Sequence, residues 1–256
     1  MEITSTLKTE KLTKIYDQVP VVNQVNLQIQ AGEIVGLLGR NGAGKTTTFL
    51  MLAGIVKPDS GEILFNEENI EDLPSYRRAE KGLIYLPQQH SVFLKATVFD
   101  NLFLVLELYA NKETAAQRAL GLLEDFSLTY VKDSLAYQLS GGEKRRLEIA
   151  RAMIMQPRFL FLDEPFTGID PITILDIQKI ILKLKQRGIG IVVTDHNVRD
   201  TFDITDRVYI IHKGEILSAG KPAQVVAEAR TRDLFLGDDF EWQSPLDNAP
   251  FQRPLF

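Results

Sequence analysis

The segment Gly39-Arg40-Asn41-Gly42-Ala43-Gly44-Lys45-Thr46 decides the fold of this chain. Its spacing is typical of a loop whose backbone N–H groups surround phosphates, with Lys45 reaching the β- and γ-phosphates and the Thr46 hydroxyl reaching Mg²⁺. An apolar run, Ile34 to Leu38, precedes the loop as a predicted buried strand, and a helical pattern follows it. The alternative is a glycine-rich turn beside a surface lysine, which this strand–loop–helix order disfavours. The predicted nucleotide contacts in this segment and directly after it are Gly39, Asn41, Gly42, Ala43, Gly44, Lys45, Thr46 and Thr47.

Working outward from the loop, short apolar runs alternate with helical patterns, which indicates an α/β protein with a parallel sheet. Leu83 to Leu86, Phe159 to Leu162 and Gly190 to Thr194 are predicted as further buried strands. Residues 21–29 and 61–65 are predicted as antiparallel or edge strands, because apolar and polar residues alternate in the first of them.

A different composition begins after residue 97. Residues 97–127 lack proline, have no glycine before Gly121 and are rich in Leu, Ala and Glu, so two or three helices are expected. We therefore predict a helical subdomain at about 89–157, inserted into a domain that covers residues 1–241. The polar, proline-containing segment 242–256 is predicted to be an extended or disordered tail.

The overall composition excludes several classes of protein. The 256 residues carry a net charge of −5, which disfavours general nucleic-acid binding. The absence of cysteine excludes disulfides and thiolate metal sites. No apolar stretch approaches the roughly 20 residues that span a bilayer, and the first residues lack signal-peptide features. Membrane contact is therefore expected only through partners.

A second candidate site follows the strand that starts at Phe159, since this strand runs directly into Asp163 and Glu164. Ligands of parallel sheets gather at the carboxyl ends of the strands. There Asp163 would hold Mg²⁺, and Glu164 would face the γ-phosphate and activate the attacking water. A pair of solvated acids at a strand end is the alternative.

A third candidate is Gln138-Leu139-Ser140-Gly141-Gly142-Glu143, which precedes a predicted helix. One interpretation is a capping box, in which Ser140 and Glu143 satisfy free N–H groups at the helix start. The other is an anion-binding helix N-terminus. The two interpretations are compatible, and this segment alone does not decide between them.

The order and spacing of these motifs together resemble the ABC transporter ATPases. In addition to the segments above, the chain has Pro87-Gln88 after a strand, Asp163-Glu164-Pro165, Gly168-Ile169-Asp170 and His196 at a strand end, all in the order of that family. The resemblance covers roughly residues 5–240. It implies an α/β fold with a P-loop NTPase (RecA-like) core, an antiparallel β subdomain and an inserted α-helical subdomain.

The resemblance also implies roles for single residues and two bound species, ATP and Mg²⁺. Chains of this family pair head to tail, so Ser140, Gly141 and Gly142 would bind the γ-phosphate of the partner's ATP. The catalytic set would be Glu164, His196 and Gln88, and the metal set Thr46, Gln88 and Asp163. Asp170 would contact the opposite site, and Tyr16 would stack under the adenine. The alternative for Tyr16 is an ordinary edge-strand tyrosine, and a histidine such as His196, taken alone, is more often a structural residue at a strand end.

Within the family, the chain most resembles the lipopolysaccharide-export ATPases of the LptB type, through Thr194-Asp195-His196-Asn197-Val198-Arg199-Asp200 and Leu236-Gly237-Asp238-Asp239-Phe240. It departs from them at Arg40, where proline is usual, and at Thr167, where alanine is usual. The resemblance implies a homodimer under two transmembrane permease subunits, on the cytoplasmic face of the inner membrane. The alternative is an ATPase of a branched-chain amino-acid importer. A soluble ABC protein of ribosomes or DNA repair is disfavoured, because it would need a second domain or a long coiled-coil insertion.

A partner contact is also implied beside Gln88. Phe93 and its neighbours Val92 and Leu94 are the candidates for an apolar contact with the permease subunits. The alternative is that these three side chains pack inside the helical subdomain.

Overall fold

A computed structural model of the chain describes residues 5–237 and 239–243. The strands are β1 (Thr6–Tyr16), β2 (Val19–Gln30), β3 (Ile34–Leu38), β4 (Ser60–Phe65), β5 (Glu68–Asn69), β6 (Leu83–Leu86), β7 (Phe159–Asp163), β8 (Gly190–Thr194), β9 (Arg207–His212) and β10 (Glu215–Gly220). The helices are α1 (Lys45–Leu52), α2 (Ser75–Glu80), α3 (Val98–Leu106), α4 (Lys112–Asp125), α5 (Gly141–Met153), α6 (Pro171–Gln186), α7 (Val198–Phe202), α8 (Pro222–Ala227) and α9 (Ala229–Thr231).

These strands form two sheets. The larger has the order β10-β9-β3-β8-β7-β6, in which only the edge strand β10 is antiparallel to its neighbour. The smaller is antiparallel, with the order β2-β1-β4-β5. All residues of β3, β7 and β8 are buried, as expected for parallel strands covered on both faces.

Alternate residues of β7 point into different cores, because successive side chains of a strand face opposite sides of the sheet. Phe159 and Phe161 pack with α1 and the antiparallel sheet. Leu160 and Leu162 pack with α6 and the helical segment. The parallel sheet is therefore the central layer, and its two faces bury the two largest clusters of apolar side chains in the described part of the chain.

The helical segment α3–α5 lies between β6 and β7 in the chain. Its helices have clear start signals, since Thr97 caps α3 and Asn111 caps α4 through side-chain oxygens. The antiparallel sheet, the parallel core and the inserted helices together confirm the predicted α/β architecture.

The C-terminal residues differ from the prediction at one point. Trp242, which was assigned to an extended tail, packs edge-on against Phe202 at a ring distance of 5.4 Å. Its indole N–H donates to Asp203 Oδ1 at 2.8 Å. Contact with the domain therefore extends at least to this residue, and residues 244–256 of the predicted tail lie outside the described residues.

The described helices were also compared with the requirements of a bilayer. None of them is both long and apolar enough to cross a membrane.

Candidate ATP site

The sheet order explains how distant sequence motifs meet. The phosphate loop follows β3, His196 follows β8, Glu164 follows β7 and Gln88 follows β6. These strands are consecutive neighbours in the sheet and run parallel. Their carboxyl ends therefore line one edge, and the four groups lie along it in the same order as the strands.

The phosphate loop requires glycine at two positions for steric reasons. A Cβ on Gly39 would lie 2.2 Å from the Ile211 carbonyl oxygen, and one on Gly44 would lie 2.5 Å from the Val21 carbonyl oxygen. Gly44 also has a φ of +108°, which side chains rarely adopt. The glycines thus let the loop press against β2 and β9 while α1 begins at Lys45.

Lys45 is buried and folds back over its own loop. Its Nζ donates to the carbonyl oxygens of Gly39 at 2.8 Å and Arg40 at 3.1 Å. Burial lowers the pKa of Lys45, while the negative charges of Glu164, Asp163 and Asp195 act in the opposite direction. The Arg40 side chain is exposed to solvent. The ammonium group of Lys45 is therefore held against the backbone of its own loop.

The metal prediction can be tested against the donor atoms present. Asp163 Oδ1 lies 3.5 Å from the Thr46 hydroxyl, and only 2% of Asp163 is exposed. Burial raises the pKa of Asp163, and a nearby positive charge acts in the opposite direction. Two hard oxygens fit Mg²⁺, which binds few protein ligands and completes its octahedron with phosphates and water. No cluster of three or more His, Cys, Asp or Glu that could hold a metal occurs within residues 5–237 and 239–243.

Glu164 is held by side chains from three other positions. His196 Nε2 is 2.7 Å from its Oε1, Gln88 Nε2 donates to its Oε2 at 2.6 Å, and the Thr167 hydroxyl donates to the same oxygen at 3.2 Å. The Glu164 backbone has a φ of +48°, and its N–H donates to the Thr194 carbonyl oxygen at 2.8 Å. A non-glycine residue in this conformation costs about 1–3 kcal/mol and persists only where the surroundings enforce it.

Sequence reasoning missed the role of Arg145. This buried guanidinium donates from Nη2 to the carbonyl oxygens of Asp163 at 3.1 Å and Glu164 at 3.3 Å. Its Nη1 donates to the Pro87 carbonyl oxygen at 3.2 Å and to Glu148 Oε2 at 3.2 Å. Helix α5 is thereby tied to the strand ends that carry Gln88 and Glu164. The contact has no sequence motif, because Arg145 donates mainly to backbone carbonyl oxygens, which every residue carries.

Asp195 also holds the strand ends of the site together, and the sequence analysis gave it no role. Its Oδ2 accepts from the Phe166 N–H at 2.9 Å and its Oδ1 from the Asn197 N–H at 3.0 Å. Burial raises the pKa of Asp195. These bonds connect the residues just after β7 with those just after β8, which fixes Glu164 and His196 relative to each other.

The remaining predicted residues lie elsewhere. Ser140 caps α5: its hydroxyl donates to Glu143 Oε2 at 2.6 Å and accepts from the Glu143 N–H at 3.3 Å, so the capping box is present. Asp170 caps α6 through the Thr173 N–H at 3.0 Å. The two helix starts touch, since a Cβ on Gly142 would lie 2.0 Å from Thr173 Cγ2. Tyr16, at the end of β1, is 45% exposed and lies beneath the Lys14 ammonium.

A cavity of about 400 Å³ opens over the phosphate loop. Its described lining consists of Val21, Asn41, Gly42, Ala43, Gly44, Lys45, Thr46, Thr47, Gln88, Glu164 and His196. Apart from Gly39, the residues predicted at the phosphates and at the water thus surround one space, whereas Gly39 and the predicted metal ligand Asp163 are not part of its described lining. Tyr16, Asp170 and the Ser140–Gly142 segment do not belong to this described lining.

Residues 22–167 match the family model described as "ABC transporter". The chain belongs to the ABC transporter ATP-binding family. It is 46% identical to the lipopolysaccharide export system ATP-binding protein LptB of Haemophilus influenzae, over 93% of this chain and 99% of that protein. It is 48% identical to the LptB of Acidithiobacillus ferridurans, over 92% and 98%.

Among solved structures of ABC proteins, the chain resembles the dimeric ATP-binding cassette MJ0796 bound to ADP and Pi. The TM-score is 0.75 at 26% identity, and the match covers 84% of this chain and 98% of that one. Membership of the ABC family means that the chain binds nucleotide and hydrolyses ATP in connection with transport. The predicted family, fold class and enzymatic activity are therefore confirmed.

Proposed function

We propose that this ABC ATPase drives lipopolysaccharide export as a homodimer beneath two transmembrane permease subunits, on the cytoplasmic face of the inner membrane. The observation that carries the proposal is the full-length similarity to LptB proteins, at 46% identity over 99% of the Haemophilus influenzae protein. The branched-chain amino-acid importer, kept above as an alternative, is not favoured by this similarity.

ATP would enter the cavity over the phosphate loop. The N–H groups around Gly42 and Gly44 and the positive end of α1 would surround the β-phosphate. Lys45 would exchange its bonds to Gly39 and Arg40 for bonds to the β- and γ-phosphates. Thr46 and Asp163, with Gln88 through water, would hold Mg²⁺, which supplies charge neutralisation at the β- and γ-phosphate oxygens.

Hydrolysis would use the residues at the neighbouring strand ends. Glu164 accepts the proton of a water whose oxygen attacks the γ-phosphorus, while the bond from that phosphorus to the bridging oxygen breaks and ADP leaves. His196 lies 2.7 Å from Glu164 Oε1 and would orient the carboxylate and the γ-phosphate. Gln88 lies 2.6 Å from the other carboxylate oxygen and would position the water. Positioning of this kind supplies most of the catalysis of phosphoryl transfer.

The second half of the site would come from another copy of the chain. Ser140, Gly141 and Gly142 form a capped helix start outside the described lining of the cavity of their own chain. Helix N-termini bind anions, and two-fold pairing would place this one over the γ-phosphate in the partner chain. Asp170 and Tyr16 would likewise act in the closed dimer, the first across the interface and the second under the adenine.

The permease subunits would dock beside the strand that leads to Gln88. The structure separates the three predicted contact residues: Val92 is buried, whereas Phe93 is 47% and Leu94 51% exposed. Phe93 also lies under the Arg151 guanidinium, at 5.0 Å from its ring centre. Phe93 and Leu94 are therefore available to a partner, and Val92 belongs to the core.

A separate apolar groove of about 260 Å³ lies at the same strand. It is lined by Ala53, Ile55, Ser75, Tyr76, Ala79, Leu83, Ile84 and Tyr85. Its wall includes most of β6, which ends two residues before Gln88. A permease helix in this groove would therefore contact the strand that positions the water-binding glutamine.

The test is to tag the chain in its native cell, solubilise the membranes in mild detergent and identify the proteins that co-purify. Two membrane subunits with large periplasmic β-domains are the expected result. Amino-acid permease subunits would overturn the cargo and leave the ATPase assignment standing.

A matched pair of variants tests the docking surface in the same experiment. Phe93→Ala should reduce co-purification more than it reduces the ATPase activity of the isolated chain. Leu108→Ala, at a leucine in the same inserted segment that is 77% exposed and therefore more accessible than Phe93, is the control and should leave co-purification unchanged. Equal loss in both variants would contradict the assignment of Phe93.

A further inference from the structure

Tyr85 makes a contact inside the site that none of the motifs accounts for. It lies on β6 opposite Phe161 of β7, and Asp163 follows two residues later on the same face of the sheet. Its hydroxyl donates to Asp163 Oδ2 at 3.0 Å. Diagonal neighbours on adjacent strands are within reach of an aromatic side chain, so the register of the two strands produces this bond.

Because of this bond, the two carboxylate oxygens of Asp163 have different partners. Oδ2 is occupied by Tyr85, while Oδ1 is on the side of the Thr46 hydroxyl, at 3.5 Å. The Asp163 backbone is held separately, since its carbonyl oxygen accepts from Arg145. Of the hydrogen bonds described for this carboxylate, the one from Tyr85 is the shorter, and it fixes the rotation of the carboxylate about its own axis.

The tyrosine ring is in turn held by the helix of the phosphate loop. Phe49 of α1 meets it edge-on, with ring centres 6.4 Å apart and an interplanar angle of 83°. The same helix begins with Lys45 and Thr46. The ring, the carboxylate and the Thr46 hydroxyl therefore form one packed unit that spans β6, β7 and α1.

We propose that Tyr85 is a positioning residue for magnesium, whose hydroxyl holds Asp163 Oδ2 so that Oδ1 stays directed to the metal position beside Thr46. The inference rests on the proposed role of Asp163 as a metal ligand. Partners that orient a metal ligand commonly change metal affinity by about 10- to 100-fold when removed. Packing alone does not require the hydroxyl, because phenylalanine would make the same contact with Phe49.

The test compares Tyr85→Phe with the wild-type chain by titrating Mg²⁺ into protein with a fluorescent, non-hydrolysable ATP analogue. The expected result is an approximately 10-fold increase in the Mg²⁺ concentration at half-saturation, with unchanged affinity for the analogue in the presence of EDTA. Tyr209→Phe is the matched control, because Tyr209 lies on β9 and its hydroxyl accepts from Arg207 at 2.7 Å. This control should retain the wild-type Mg²⁺ dependence.

Two outcomes would overturn the inference, and a further variant tells them apart. If Tyr85→Phe lowers the thermal unfolding midpoint but keeps the wild-type Mg²⁺ titration, the hydroxyl is structural only. Asp163→Asn identifies the other case. If Asp163→Asn also leaves the Mg²⁺ titration unchanged, the metal-ligand role in the proposed function fails and the Tyr85 inference fails with it.

Discussion

The starts of α1 and α5 are both glycine-rich helix N-termini, yet their surroundings differ. The start of α1 opens into a cavity with Lys45, Gln88, Glu164 and His196 around it. The start of α5 is closed by its own capping box and packs against the start of α6. The start of α1 thus has candidate catalytic side chains of its own chain around it, and the start of α5 has none of them in contact with it. This difference supports the proposal that the second motif acts on another copy of the chain.

The largest expected effect comes from replacing Glu164, the proposed base, which follows β7 and lines the cavity at the start of α1. Glu164→Gln should lower the turnover number by about 10²–10⁴-fold, since general-base catalysis contributes that much. ATP binding should persist, because the phosphate loop is unchanged, and an ATP-bound dimer should accumulate. Steady-state ATPase assays and size-exclusion chromatography with ATP measure both. Near-normal turnover would remove Glu164 from this role.

A mixed-dimer experiment tests whether the start of α5 acts on the other chain. Lys45→Ala and Ser140→Ala chains are co-expressed with different tags, and the doubly tagged dimer is purified. If the helix acts across the dimer, one of its two sites is intact and the dimer should recover up to about half of the wild-type turnover. Each variant alone should be nearly inactive. If the helix acts within its own chain, both sites of the mixed dimer are defective and nothing is recovered.

A third prediction concerns stability at the metal side of the cavity. The raised pKa of Asp163 means that its ionised form destabilises the folded chain, and this cost is present above the folded-state pKa. Asp163→Asn should therefore raise the thermal unfolding midpoint at pH 7 without nucleotide, by about 2–4 °C for each kcal/mol relieved. The difference should disappear at pH values below the unfolded pKa, about 3.9. A lower midpoint at pH 7 would contradict the argument, and ATPase activity should be lost in either case.

The smallest expected effect comes from Thr167, which donates to Glu164 Oε2 at 3.2 Å but is itself exposed. One hydrogen bond of this kind contributes about 0.5–1.5 kcal/mol. Thr167→Ala should accordingly reduce turnover by about 2- to 12-fold with little change in the Michaelis constant. Thr167→Ser should keep the wild-type rate. Equal losses in both variants would show that the methyl group, and not the hydroxyl, is responsible.

The sequence predicted those strands whose apolar pattern is complete within one short segment. The buried strands around residues 34–38 and 159–162 are continuous apolar runs, and their bounds agree with β3 and β7 within one residue. Strand β1 was not predicted as a whole, because its alternation is broken by irregular pairing between Thr9 and Leu12, where Lys11 has a φ of +50°. Strand β9 was also overlooked, although its apolar residues complete the sheet beside β3.

The site was predictable only in part. Glu164 could be named from its place at the end of a predicted strand, whereas Gln88 and His196 were named through the resemblance to the ABC family. Arg145 donates mainly to backbone carbonyl oxygens, and Tyr85 reaches its partner through the pairing of β6 with β7. Neither contact joins residues at a fixed spacing in the sequence, so neither could be predicted from it. The capping box at Ser140 was foreseen, but its distance from the cavity could be known only from the fold.

Trp242 has a consequence for optical measurement. It is the single tryptophan of the chain, and it packs on Phe202, the last residue of the helix that begins two residues after His196. Its indole N–H is hydrogen-bonded to Asp203. Tryptophan emission from this protein therefore has one source, which packs against the helix that follows His196. A shift in that emission on adding nucleotide would report movement of the helix without any introduced label.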